Sequence, residues 1–355
     1  MLNRRNFLRN VGNATAGMYL MGRGVGATAQ TGRKEVIVGG REVQTVDIHA
    51  HCVFREAEEL IAGTSLEGVR EFPDWYLLGP ERIDAMDERG IDVAALSVNL
   101  YWWYAADRDL ATRIVRLHDE GLAEWCNTYP ERFVALSSVA LQYPDLAAEQ
   151  LEYAVNELGL RGASVGGTVL GEANSLPKYD PFWAKAEELG VPVFMHPADA
   201  VYLLREEGLP ARGYQGNIIG NPLETTFFLT NLIYDGTLDR FPNLKVCGAH
   251  GGGYLPSYLS RTDVGCVRAA VECLNQRPPR EYVRDQIMGD SMVFSAEELR
   301  HLVAQMGASQ IVYGSDQPFV WPDTMDLITD ASFLSDAEKE AILGGNLRRL
   351  LKIDT

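Results

Sequence analysis

No Cys-x-x-Cys occurs in this chain, and its five cysteines (Cys52, Cys126, Cys247, Cys266 and Cys273) are scattered. None stands at zinc-finger spacing from a histidine, which excludes that class of metal site. The odd count and wide spacing argue against a disulfide framework. Cys247, inside an apolar run, reads as a small core residue, and Cys52 beside His51 reads as packing. Basic residues are few, 32 Lys and Arg against 49 Asp and Glu, for a net charge of −17. Such a surface repels nucleic acid and anionic lipid. An anionic ligand therefore needs a local positive site, either a metal or buried arginines. No Gly-x-Gly-x-x-Gly follows the first strand-like run, and Gly166-Gly167 lacks that spacing, so dinucleotide binding is unsupported. Repeats and low-complexity tracts are missing too.

Histidine is also scarce, six in all, which makes its placement informative. Asp47-Ile48-His49-Ala50-His51 follows the short run Val43–Val46. Side chains in a strand alternate faces, so His49 and His51 project into one space, with Asp47 expected on the same face behind them. Two such imidazoles suit a divalent ion, and the carboxylate suits fixing a tautomer. The plainer reading is a pair of partly exposed histidines at a strand-to-loop junction, and it is weighed by where the others fall. His196 ends the apolar run Val191–His196, and His250 ends Leu244–His250 before Gly251-Gly252-Gly253. Asp316 ends Ile311–Asp316. Only His118 and His301 lie elsewhere, in helical stretches, as packing or surface residues. Four of six histidines at strand ends read as one site.

The remaining pattern alternates strand and helix. Strand-like runs are Val43–His49, Val93–Val98, Phe133–Ser138, Gly162–Gly166, Val191–His196, Leu244–His250, Ser291–Phe294 and Ile311–Ser315. Between them lie amphipathic helical stretches, several ending at glycine (Gly90, Gly159, Gly190, Gly307). Eight βα units predict an α/β fold of the (β/α)8 barrel type, whose reactive residues sit at the carboxyl ends of the strands. An apolar fraction of 46% is ample for its core.

The first 29 residues stand apart, with four arginines and no acid. Asn3-Arg4-Arg5-Asn6-Phe7-Leu8-Arg9 resembles the twin-arginine export motif, and Ala27-Thr28-Ala29 fits the small-residue cleavage rule. The apolar stretch between them is too short and glycine-rich to span a membrane. The expected organisation is a signal peptide at 1–29, a linker at 30–42 and the barrel at 43–353. Export through the twin-arginine translocase to the periplasm follows, with a cytoplasmic protein as the alternative if the leader is vestigial.

The strand-one His-x-His, His196-Pro197, His250-Gly251-Gly252-Gly253 and Gly314-Ser315-Asp316-Gln317-Pro318-Phe319 together resemble the amidohydrolase superfamily. More narrowly, the chain is similar to the branch holding the aminocarboxymuconate-semialdehyde, γ-resorcylate and 5-carboxyvanillate decarboxylases. Further matches are Arg82–Asp87 with Gly90-Ile91-Asp92, Tyr179–Trp183, Phe241–Lys245 and Asn346–Leu351, so the likeness spans Val43 to Ile353.

That resemblance implies one divalent metal on His49, His51, His196 and Asp316, zinc before manganese, since such N/O donors accept both. Bimetallic members carry Lys or Glu at the end of strand four, where this chain has Ala163-Ser164-Val165-Gly166. His250 is then the acid/base residue, and Arg261 the fork for a substrate carboxylate, reaching in from a neighbouring subunit. The alternative for Arg261 is a helix-surface ion pair with Asp263. The implied activity is non-oxidative decarboxylation of a small aromatic or unsaturated carboxylic acid by a homodimer or homotetramer. The alternatives are hydrolysis of an amide, ester or lactone with Asp316 shuttling the proton, or a barrel that only binds. Arg70 is a loose counterpart of a family arginine, and Gln317 stands where many relatives carry Tyr. The block Asn99–Tyr104 offers either an aromatic wall for a planar ligand or a subunit contact.

Overall fold

The computed structural model describes residues 32–68, 73–99, 102–198, 214–268 and 273–353. The expected signal peptide, Arg70 and Tyr101 lie outside those residues. The first described elements are a hairpin, β1 (Ile37–Val38) against β2 (Arg41–Glu42). The stretch expected to be a linker is thus ordered from residue 32. Val36 and Val38 are buried, and Lys34 N donates to Asp87 O at 2.9 Å, because two valines on one side of a short strand give it a face to bury.

Eight parallel strands follow among the described residues. They are β3 (Val46–His51), β4 (Val93–Ser97), β5 (Phe133–Ala135), β6 (Ala163–Val165), β7 (Val193–Met195), β8 (Val246–Gly248), β9 (Ile287–Asp290) and β10 (Ile311–Val312). They pair in order as β3–β4–β5 and β6–β7–β8–β9–β10. Parallel bridges Ser137↔Ala163 and Ala50↔Gln317 join the two groups. Ser137 N donates to Gly162 O at 2.9 Å, and Ile48 N to Tyr313 O at 3.1 Å, so the ring closes as a (β/α)8 barrel.

Closure sorts the strand residues into two layers. Val46, Ile48, Val93, Ala95, Leu136, Phe194, Cys247, Met288 and Val312 fill the inside, joined by Leu347 and Leu351 from the chain's end. Their neighbours Ala94, Leu96, Val193, Val246, Ile287 and Ile311 face the helices. Parallel strands covered on both sides have no polar face to show water, which is why these runs read as almost continuously apolar. The helix Arg108–Thr128 typifies the outer layer. Asp107 caps it by accepting from Leu110 N at 2.9 Å, and Leu110, Ile114 and Leu122 are buried at helical spacing. The helices Pro80–Arg89 and Asp180–Leu189 stop at Gly90 (φ 76°) and Gly190 (φ 59°), in the left-handed region that glycine enters freely. Among the described residues no helix is long and apolar enough to cross a membrane.

Two expectations need correction. Strand seven is Ile287–Asp290, not Ser291–Phe294. A Cβ on Gly289 would sit 3.0 Å from the carbonyl carbon of Gly251, so this strand passes its neighbour too closely for a side chain. That demand outweighs the higher strand propensity of Met292-Val293-Phe294, and Phe294 instead stacks on Trp321 outside the strand, at 5.5 Å. Second, Cys266 and Cys273 form a disulfide across seven positions, so scattered cysteines do not mean unpaired ones. Cys52, Cys126 and Cys247 are free.

Candidate metal centre

The ligand set begins on β3. His49 and His51 both turn into the mouth of the barrel, their ring centroids 5.1 Å apart and both side chains fully buried. His196, just past β7, brings its ring within 4.9 Å of His49 and 4.6 Å of His51. Asp316 follows β10 with φ 60°, a left-handed conformation costly for a residue with a Cβ. That turn aims its Oδ1 at His51 Nε2, 2.7 Å away, and at His49 Nε2, 3.0 Å away. One ligand atom from each of His49, His51, His196 and Asp316 lies within 4.8 Å of the other three.

The expected role of Asp47 belongs to another residue. The β3–β4 register shifts between Asp47 and Ala50, and such a bulge breaks strict alternation. Asp47 therefore turns away from the imidazoles. It accepts from His49 N at 2.9 Å and from Ser315 N at 3.0 Å, pinning β3 to the loop that carries Asp316. Burial pushes its carboxyl up to about 6, although hydrogen bonds from Ser315 and His49 pull the other way.

Asp290, the last residue of β9, does the work instead. Its Oδ2 lies 2.7 Å from His49 Nδ1, and its Oδ1 accepts from Gly251 N at 2.7 Å. This bond holds a proton of His49 on Nδ1 and aims Nε2 at Asp316 and the mouth. The residue was missed because Ile287-Met288-Gly289-Asp290 reads poorly as a strand. Moving strand seven four residues earlier would have put an acid at its carboxyl end, like the other site residues.

Two more supports were not anticipated. Arg82 is buried, and its Nη2 donates to His51 O at 2.8 Å. Glu224 is buried on the helix Asn221–Tyr234 and accepts from Gly167 N (3.2 Å) and Ala198 N (3.1 Å), tying together the loops after β6 and β7.

The electrostatics favour a cation. Burial opposes charge on His49, but Asp316 and Asp290 outweigh it and raise its pKa to about 10. Burial also opposes the Asp316 carboxylate, and the imidazoles of His49 and His51 overcome that and hold it well below the usual carboxylate range. His51 falls to about 4, chiefly through burial, and burial likewise holds His196 well below its ordinary value. Two buried carboxylates, Asp290 and Asp316, stand beside imidazoles of which His51 and His196 resist protonation, so the centre calls for positive charge. His51 Nδ1 and His196 Nδ1 are buried without hydrogen-bond partners. This three-imidazole, one-carboxylate set fits a divalent metal of the zinc or manganese type.

His250 stands beside this group but outside it. Its ring is 5.3 Å from His49 and 5.5 Å from His196, its φ is 56°, and its Nδ1 has no partner. The glycines after it let the turn close: at Gly253 (φ 66°) a Cβ would strike Pro222 O. Burial, with His49 beside it, lowers the His250 pKa. His118 is buried against Ser138 Oγ at 3.1 Å, and His301 is exposed.

Arg261 is not brought to the site. It is exposed on the helix Leu255–Arg268, and Asp263 pairs with Arg280 rather than with it. Of the aromatic block, Trp102 lies over Gly166 and stacks with Tyr104 at 6.1 Å, while Tyr104 OH accepts from Gly166 N at 3.1 Å. Phe319 packs edge-on to His51 at 5.3 Å, and Tyr76 at 6.1 Å. Flat apolar walls therefore flank the ligand cluster.

The chain is similar to known proteins in sequence and in fold. The chain is 31% identical to a 2-amino-3-carboxymuconate-6-semialdehyde decarboxylase of Dictyostelium discoideum, over 77% of this chain and 76% of that protein. Identity is again 31% to a γ-resorcylate decarboxylase of Rhizobium sp. (strain MTP-10005), over 77% of this chain and 86% of that one. Among solved structures, a dihydroxybenzoic acid decarboxylase from Polaromonas sp. JS666, with bound manganese and the inhibitor 2-nitroresorcinol, superposes with a TM-score of 0.74. That match has 26% identity and covers 88% of this chain and 98% of that one. The amidohydrolase family model matches residues 46–353, from the first barrel strand to the last helix, and the chain belongs to the amidohydrolase family.

Proposed function

We propose that this protein is a metal-dependent non-oxidative decarboxylase of a small aromatic carboxylic acid. The observation that carries this reading is a division of labour. Four donor atoms converge within 4.8 Å, while a fourth imidazole, that of the half-buried His250, stands beside them with an unpartnered Nδ1. The named relatives, all decarboxylases, support the same chemistry. When bound, the cation supplies Lewis-acid charge and a template for the substrate's oxygens. The chain's own residues do the rest. Asp290 and Asp316 hold the imidazoles in place, and the aromatic walls of Trp102, Tyr76 and Phe319 exclude water and accept a flat ring. His250 moves the proton, and its lowered pKa makes the protonated form a stronger acid. The proton goes to the ring carbon that bears the carboxylate. The bond from that carbon to the carboxylate then breaks, its electron pair returns to the ring, and CO2 leaves.

Zinc is the expected ion, with manganese supported by the Polaromonas relative. A homo-oligomer is supported by exposed apolar side chains, Phe227, Tyr258, Val264 and Val267, on the helices Asn221–Tyr234 and Leu255–Arg268, the second of which carries Arg261. Contact there would let Arg261 serve a neighbour's substrate. Export by the twin-arginine route is supported by the leader and by the Cys266–Cys273 disulfide, which suits an oxidising compartment; recovery of an uncleaved protein from the cytoplasm of its own host would contradict it. The central test is incubation of metal-loaded protein with hydroxybenzoates, muconates, amides and lactones, following CO2 and product mass. CO2 with loss of the carboxyl mass is expected. Water addition to an amide or lactone without CO2 would move the assignment to hydrolysis.

A further inference from the structure

The side of the mouth away from the ligand cluster holds buried polar groups with nothing to bind. Asn99, two residues past β4, is fully buried. Ser164 Oγ of β6 donates to Asn99 Oδ1 at 2.6 Å. Strands β4 and β6 are not neighbours, since β5 lies between them, so side chains from the two meet only through the inside of the barrel. The register agrees: Ser164 pairs with Phe194, an inner-layer residue whose ring is 5.3 Å from His49. Asn99 therefore faces the chamber that holds the ligand cluster.

The serine bond also decides which way the amide points. With its oxygen engaged, the Asn99 NH2 group is turned to the chamber, and Nδ2 is buried with no acceptor. Trp102 Nε1 repeats the pattern: it is buried without an acceptor, above Gly166 at the end of the same strand as Ser164. A buried amide that lacks a partner costs about 1–3 kcal/mol in a folded protein, so two such donors on one side of a cavity mark a place where a ligand supplies acceptors.

We infer that Asn99, oriented by Ser164 and assisted by Trp102, is a specificity-determining residue that binds an oxygen substituent of the substrate ring, a phenolic or phenolate oxygen, on the side opposite His250. The inference rests on the decarboxylase reading for its substrate class. Two N–H donors prefer an acceptor, so ring oxygens are favoured over amines, and a bare ring leaves both donors unpaired.

The test compares 2,6-dihydroxybenzoate with benzoate, titrated calorimetrically into metal-loaded protein, with CO2 followed in parallel. Asn99→Ala should weaken 2,6-dihydroxybenzoate by roughly 10- to 100-fold, the worth of a hydrogen bond to an anionic oxygen, and leave benzoate within about threefold. Asn99→Asp, which keeps the shape and the Ser164 bond but presents a negative oxygen, should be at least as weak. Ser164→Ala and Trp102→Phe should show smaller losses with the same selectivity. Metal content should stay at the parent's level throughout. Equal weakening of both ligands, or no weakening of either, overturns the assignment. A parent that binds both compounds but releases no CO2 sinks the decarboxylase reading and leaves the Asn99 comparison standing, whereas a parent that binds neither sinks both.

Discussion

Two arcs of the barrel mouth solve the problem of buried polarity in opposite ways. On the arc from β7 through β10 to β3, carboxylates and imidazoles meet at 2.7–3.0 Å, and the carboxyls of Asp290 and Asp316 are held below their ordinary range. On the arc from β4 to β6, the groups are neutral amides and hydroxyls. Behind that arc, on the helix Arg108–Thr128, the buried carboxyl of Asp119 is pushed up to about 7 by burial, despite hydrogen bonds from Ser137 and Ser138. Burial is the same in both places. Only the first arc surrounds its acids with groups that can carry positive charge, so only that arc is built for a cation. The second arc is built to be read by a neutral or acceptor-bearing ligand.

The sharpest way to break this comparison is to remove one residue at a time from the first arc. His196→Ala takes away a ligand nitrogen, so most bound metal and nearly all turnover should go together, as elemental analysis and CO2 release would show. His250→Ala should keep the metal and lose turnover by roughly 10²–10⁴-fold, the range for one positioned proton-transfer group. Metal loss in that variant would make His250 a ligand and erase the division of labour. Asp290→Asn should act through His49, lowering metal affinity by about 10–100-fold with the fold intact. Unchanged affinity would mean that the 2.7 Å bond is incidental.

Most of the first arc was legible in the sequence because its residues end apolar runs, and a parallel barrel presents strand ends at one face. Asp290 escaped because glycine and aspartate are poor strand formers, and the closeness of β9 to Gly251 that selects Gly289 is a tertiary fact. Asp47 was misjudged because a bulge in β3 cannot be seen in a pattern of alternating residues. The second arc was harder still. Asn99 and Ser164 are 65 positions apart, and neither type announces chemistry until their bond across the barrel fixes the amide. Arg261 lies on the expected helix, exposed and away from the ligand cluster of its own chain.

A smaller effect sharpens the contrast from the other side. The folded-state pKa of Asp119, about 7, lies above the value near 3.8 expected when unfolded. The folded state therefore binds this proton more tightly. The stability it contributes is complete below about pH 4 and is lost as pH rises through 7. Thermal unfolding of the parent should accordingly shift down between pH 5 and pH 8 by several degrees, and Asp119→Asn should flatten that slope. A slope unchanged in the variant would place its origin elsewhere.

The most direct test of the central claim is to titrate zinc or manganese into metal-stripped protein while following CO2 released from 2,6-dihydroxybenzoate. One ion on His49, His51, His196 and Asp316 predicts no release at the start, a linear rise, and a break at about one equivalent per chain. Release without added metal, a break near two equivalents, or a fully loaded protein that frees no CO2 from any aromatic acid would contradict it.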